Sequence, residues 1–367
     1  MQPFHLPDFY LPHPARRNPH LDHARAHAAA WAKDVGILDE PGPSGELVWD
    51  ADRLDRMEIA LLCAYTHPDC DAEALALITE WYMWVLFFDD DFLAKFKNTG
   101  RRAEAVRHLE RLELFMAEPG CAAPEPGNPA EAGLADCWVR TIVHMSPDWR
   151  RRMRLSTHNL MVESLWELDN IARERVANPI ECIEMRRRVG GAPWSANLVE
   201  YACGAEVPDR LADERPLRVL LDTFSDAVHL RNDLFSYDRE AGPLAATGVR
   251  MPYTAHANPH FGEVCAELPG WLADLRQFEH LVGEQLPVFF ADHDLSAAER
   301  VAILAYAGRM QDLMSGHLAW FDRTGRYAET ALRERHSKSL CTGPTGPFVS
   351  VLAAAAGIRS RPGAALS

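Results

Sequence analysis

Three oxygen-bearing side chains fall on one stripe of an apolar-periodic run that starts near Pro216: Asn232, Ser236 and Glu240. At about 100° per residue in an α-helix, each is offset from the last by only about 40°. An amide, a hydroxyl and a carboxylate in line form a donor set for a hard cation. Mg²⁺ suits it, because that ion prefers oxygen and keeps positions open for water and a substrate phosphate. Arg239, about 100° from Glu240, is placed to reach a phosphate held there. A solvated helix face would use the same residue types. Upstream on this stripe, however, come Ser225 and the apolar Val228, Phe224 and Leu221, so it runs from a polar mouth into a greasy interior.

A second oxygen cluster lies about 140 residues earlier, where eight consecutive aromatic or aliphatic residues, Trp81 to Phe88, run directly into Asp89, Asp90 and Asp91. As a helix begun near Asp71, this stretch puts Tyr82, Val85 and Leu86 within about 60° of Asp89. Acids at the end of a buried helix are costly unless a cation neutralises them. A helix that surfaces and ends in acids is the plainer alternative. Taken together, the two stretches point to metal ligation by Asp89, Asp90, Asn232, Ser236 and Glu240.

In this order and at this separation, the stretches resemble the aspartate-rich motif and the Asn/Ser/Glu triad of class I terpene synthases. Leu6 to Arg16, Leu62 to Cys70, Val176 to Pro179, Arg186 to Ser195 and Phe224 to Tyr237 are similar to the amino-terminal half of bacterial germacradienol/geosmin synthases. The resemblance implies an all-α class I terpenoid-synthase bundle enclosing an apolar cavity, with three Mg²⁺ around the diphosphate of farnesyl diphosphate. Its reaction would be ionisation and closure through a ten-membered-ring cation to a germacradienol-like alcohol.

The resemblance also implies roles for single residues. In that family an Arg about 46 positions before the triad Asn senses the diphosphate, and counting back from Asn232 gives Arg186. Arg187 is the next candidate, since a one-residue gap near Cys203 and Gly204 would shift the count. A carbonyl at the break marked by Gly190 and Gly191 would help trigger ionisation, and Arg326 and Tyr327 look like the late Arg-Tyr pair that bonds the diphosphate with Arg239. A cation-holding wall needs apolar and aromatic faces; its candidates are Tyr82, Val85, Phe88, Trp194, Phe224, Val228 and Trp320.

Two departures stand out. Asp91 and Ala94 replace the His and the terminal Glu of the related aspartate motif, and Ala241–Gly262 carries Gly and Pro where the family continues a helix. They keep open a non-catalytic or impaired relative of a cyclase, or a cyclase with another prenyl chain length or product. A chain-elongating prenyltransferase fits less well, because it needs a second Asp-rich motif.

The elements that must position these residues read as helical throughout. Apolar residues recur at helical spacing without alternating runs, so the class is all-α. With 367 residues and 47% hydrophobic, one large bundle over residues 1–330 is expected. A Pro-rich arm occupies 1–20 and an irregular tail 331–367. Helices are predicted over Leu21–Lys33, Arg53–Tyr65, Asp71 onward, Arg101–Met116, Pro129–His144, Pro147–Arg173, a segment opened by Asn178-Pro179, Trp271–Phe290 and Ser296–Phe321. Glu118–Pro129 is a loop by its Pro and Gly content.

A net charge of −15 with no basic face argues against a nucleic-acid partner. The eight cysteines are scattered without a CxxC pair and read as buried thiols rather than a disulfide framework or zinc site. Trp81–Phe88 is too short to span a bilayer and the start lacks a leader pattern, which together predict a cytoplasmic protein. A homodimer is left open.

Overall fold

The computed structural model describes residues 11–173, 175, 177–247 and 273–326. Among these the chain is helical, and the only β-type pairing is an isolated bridge between Pro41 and Leu47. The expected all-α class is met. In chain order the α-helices are α1 (Leu21–Asp34), α2 (Ala51–Met57), α3 (Ile59–Thr66), α4 (Ala72–Phe92), α5 (Arg102–Leu112), α6 (Pro129–Ile142) and α7 (Pro147–Ala172). There follow α8 (Pro179–Val189), α9 (Gly191–Cys203), α10 (Asp209–Ala212), α11 (Arg215–Thr247), α12 (Ala273–His280), α13 (Leu286–Asp292) and α14 (Ala297–Phe321).

Local chemistry sets several helix starts. Asp71 accepts from the Ala74 amide to open α4, and Asn178 accepts from that of Glu181 ahead of Pro179 at the start of α8. Ser296 and Glu299 form a reciprocal capping box on α14. At its other end α4 runs into a π-helical turn, Leu93–Lys97.

The single helix expected over Arg53–Tyr65 is instead two, parted at Glu58, whose φ of 51 puts it in the left-handed region. The parting exposes carbonyls that others use: the Trp320 indole donates to the oxygens of Met57 (3.1 Å) and Glu58 (3.0 Å), and the Thr324 hydroxyl to that of Met57 (2.8 Å). A second correction concerns Ala241–Gly262. α11 continues to Thr247, so Gly242 and Pro243 do not stop it at Glu240. Propagating an existing helix needs no new nucleus, which offsets residues that would not start one. The remainder, 248–262, lies outside the described residues, as do the first ten of the arm and the whole of the tail.

Two groups of buried apolar side chains form the interior. One gathers α1, α3, α4, α6 and α7 with Trp194, Leu198, Phe235, Leu318, Trp320 and Phe321. The other gathers α12, α13 and the start of α14 around Ala192, Val199, Leu220 and Phe224. α3 and α14 press together at Gly316, where an added Cβ would lie 2.3 Å from the Tyr65 carbonyl oxygen. Among the described cysteines all are free thiols, and Cys121 is exposed, against the expectation of burial.

Candidate active site

The three acids ending α4 point three ways, as 100° steps require. The Asp89 side chain is 52% exposed and its Oδ1 lies 3.4 Å from the buried Lys97 ammonium. Asp90 is turned inward: its Oδ2 accepts from the Trp49 indole (2.8 Å), Arg53 (2.7 Å) and Arg326 (3.2 Å). Asp91 is buried against Lys95 at 2.8 Å, and burial raises its carboxyl above the usual range while Lys95 opposes that. All three acids thus have a protein cation beside them, and Asp89, paired at the longest distance, is the one left facing outward.

From Asp89 a row of charges leads to the helix break. Lys97 also pairs with Glu167 on α7, and Glu163, one turn before, faces Arg186 Nη1 at 3.4 Å. Burial pushes the Glu163 carboxyl up to about 8, opposed by Arg186 and Lys97 and reinforced by Glu167 and Asp89. Arg186 and Arg187 close α8. Arg187 turns to α11, where its Nε donates to Asp226 Oδ1 at 2.8 Å and its Nη2 engages Oδ2. α8 is therefore tied to the helix of Asp89's neighbours through Arg186 and to the helix of Asn232 through Arg187.

α11 carries Val228, half-buried, and Asn232, half-buried, on its expected stripe. Ser236, Arg239 and Glu240 follow on the same helix, their side chains lying outside the described residues, and Tyr327 lies wholly outside them. Beyond Asn232, Phe235 stacks on Phe321 of α14, centroids 4.2 Å apart, and α14 is followed by Arg326, which reaches Asp90. The end of α4 and the Asn232 stretch of α11 thus share the end of α14 as a neighbour. The available donors, an outward carboxylate and a half-buried amide, are all oxygen and fit a hard divalent cation.

Of the residues expected to wall a cavity, Tyr82, Val85 and Val228 keep part of their surface. Phe88, Trp194, Phe224 and Trp320 are corrected to packed core, at 0–1% exposure. Phe88 stacks on Trp84, Trp194 lies edge-on to Trp81 and Tyr82, and Phe224 belongs to the α12–α13 group. Glu163, Glu167 and Lys97 were not anticipated. Their signal was weak: two acids at i, i+4 on a helix whose Leu160, Met161, Ser164 and Leu168 are buried. The cluster of Glu80, Asp136 and Cys137 has metal-ligand spacing, yet Arg140 engages both of its acids. Among the described residues no helix is long and apolar enough to cross a membrane.

A family profile described as "Terpene synthase family 2, C-terminal metal binding" matches residues 80–249, which include both acid-bearing stretches. Pristinol synthase of Streptomyces pristinaespiralis is 29% identical over 332 residues, 88% of this chain and 85% of that protein. The 4-epi-cubebol synthase of Streptosporangium roseum, named as cyclizing (2E,6E)-farnesyl diphosphate, is 24% identical over 89% of this chain and 94% of its own. The crystal structure of germacradien-4-ol synthase from Streptomyces citricolor superposes with a TM-score of 0.66 at 23% identity, covering 86% of this chain and 98% of that one. The metal-binding profile over residues 80–249 and the relatives aligned over most of their own length support a terpene synthase enzyme that binds a divalent metal, and the superposition shows the shared helical fold.

Proposed function

We propose that the protein is a Mg²⁺-dependent sesquiterpene synthase that ionises farnesyl diphosphate and cyclises it to a germacradienol-like alcohol, releasing diphosphate. The observation that carries this reading is the placement of the α8–α9 break. Arg186 faces Glu163, whose i+4 neighbour Glu167 shares Lys97 with Asp89, while Arg187 holds α11 a turn and a half before Asn232. The name of the 4-epi-cubebol synthase, cyclizing (2E,6E)-farnesyl diphosphate, supports the C15 substrate class.

Asp89, Asn232, Ser236 and Glu240 would hold the metal, with three ions expected. Asp90 would anchor Arg326 instead of binding metal, since its oxygens already accept from an indole and two guanidiniums. When bound, Mg²⁺ supplies Lewis-acid stabilisation of the charge developing on the leaving oxygens. Arg186, Arg239, Arg326 and Tyr327 would add charge-assisted and neutral hydrogen bonds to the diphosphate as the allylic C–O bond breaks and its electron pair leaves with oxygen. Tyr82, Val85 and Val228 would border the prenyl chain, excluding water until ring closure. The Tyr82 ring would also offer a face to the cation, worth about 0.5–2 kcal/mol.

The test is incubation of purified protein with farnesyl diphosphate and Mg²⁺, followed by mass spectrometry of extracted volatiles. A ten-membered-ring alcohol that disappears with EDTA is expected. No hydrocarbon or alcohol product, with or without diphosphate release, would overturn the reading.

A further inference from the structure

The break between α8 and α9 is bridged by two buried side chains of α11 to which nothing above gives a role. The Ala192 amide, in the first turn of α9, donates to His229 Nε2 at 3.2 Å. The other ring nitrogen, Nδ1, lies 3.1 Å from Ser225 Oγ, and that hydroxyl donates to the Arg186 carbonyl at 3.5 Å. Ser225 is 0% and His229 5% exposed, so water does not substitute for these links.

The donors fix the direction of the chain. An imidazole nitrogen that accepts from a backbone amide carries no proton, so the neutral ring must hold its proton on Nδ1. Burial, with Arg186 and His317 adding to it, keeps the imidazole well below its ordinary value, so it stays neutral. The sequence of donations then runs from Ala192 N–H to Nε2, from Nδ1–H to Ser225 Oγ, and from Ser225 O–H to Arg186 O. It spans the break from the first turn of one helix to the last turn of the other. The ring also dictates the residue at the break: a Cβ on Gly190 would sit 2.5 Å from His229 Cε1 and Nε2 and 2.6 Å from the Arg186 oxygen, whereas Gly191 has open space.

We propose that His229 and Ser225 are positioning residues which lock the α8–α9 break, fixing how the Arg186 backbone turns and how Gly190 is presented to substrate. The lock is a matter of geometry alone; its effect on turnover rests on the function proposed above. Misplacing a reacting group by about 1 Å costs on the order of a hundredfold in rate. Ser225→Ala, which removes one oxygen, and His229→Phe, which keeps a ring without polar atoms, should therefore lower kcat roughly ten- to a hundredfold while KM moves less than about threefold.

Two measurements on the full-length protein read the lock without catalysis. Nitrogen-15 histidine spectra should show His229 as the Nδ1–H tautomer, the less common form in free histidine. Amide exchange at Ala192 should be slow in the parent and at least tenfold faster in His229→Phe. Ser225→Ala guards against a folding failure of the larger change. An Nε2–H tautomer, unchanged Ala192 exchange in His229→Phe, or an active Ser225→Ala enzyme with parental kcat would each overturn the proposal. Should the parent turn over no prenyl diphosphate, the function falls, and tautomer and exchange still decide the lock.

Discussion

Alanine substitution of Arg186 and Arg187 in turn separates the diphosphate sensor from a structural neighbour. Arg187 grips Asp226, whose side chain is 4% exposed. Removing one member of a buried pair strands the other charge, at about 3–5 kcal/mol. Because Arg187 is itself 38% exposed, water enters the space it leaves, and screening discounts the loss to about 2–3 kcal/mol. Arg186 differs: its partner Glu163 lies at 3.4 Å, with a carboxyl pushed up to about 8, so near neutral pH much of that carboxyl is protonated. Arg186→Ala should cost under about 1 kcal/mol of stability. Its effect belongs to turnover, where losing a charged donor to developing negative charge costs roughly a hundredfold or more. Urea titration and steady-state diphosphate release on both variants give the comparison. A stable Arg187→Ala that cannot ionise substrate, beside an Arg186→Ala of parental activity, would refute the assignment.

Three further outcomes follow from other parts of the molecule. Glu200 accepts from Arg152 and the Val207 amide at 2.7 and 2.8 Å, yet burial pushes its carboxyl from 4.5 up to about 7, so the folded state holds the proton more tightly than the unfolded. Stability should then fall by about 3 kcal/mol as pH rises from about 4.5 to about 7, a slope that urea melts should find flattened in Glu200→Gln. Asp89→Ala should unfold within about 1 kcal/mol of the parent while losing Mg²⁺-dependent diphosphate binding by calorimetry. Asp90→Ala, stranding the buried Arg326 guanidinium, should cost about 3–5 kcal/mol. Gly316→Ala forces a Cβ within 2.3 Å of the Tyr65 oxygen and 2.8 Å of the Thr66 nitrogen, backbone atoms that cannot swing aside. A loss of about 1–3 kcal/mol or more by thermal denaturation is expected.

What could be read ahead of the coordinates was local. Asp71, Asn178 with Pro179, and Ser296 start helices because a side-chain oxygen beside a free amide is a short-range signal. The glycine pair marked the α8–α9 break for the same reason. The parting at Glu58 was hidden, since nothing about a glutamate announces a left-handed turn; its carbonyls are satisfied by Trp320 and Thr324, more than 260 residues on. Three successive aspartates could be seen to face three directions, but which one met Trp49 and Arg53 depended on another helix. The packed state of Phe88, Phe224, Trp194 and Trp320 was equally non-local, because apolar periodicity does not distinguish a core face from a cavity face.

The two apolar groups are not two bodies. α9 gives Trp194 and Leu198 to one and Ala192 and Val199 to the other; α11 divides at Ala227 and Phe235, and α14 at Met314 and Leu318. Each of these rods is a shared beam, so melting either side strips three supports from its neighbour. Heat should therefore absorb in one calorimetric peak with matching van't Hoff and measured enthalpies, and a fragment cut within the chain should not hold structure by itself.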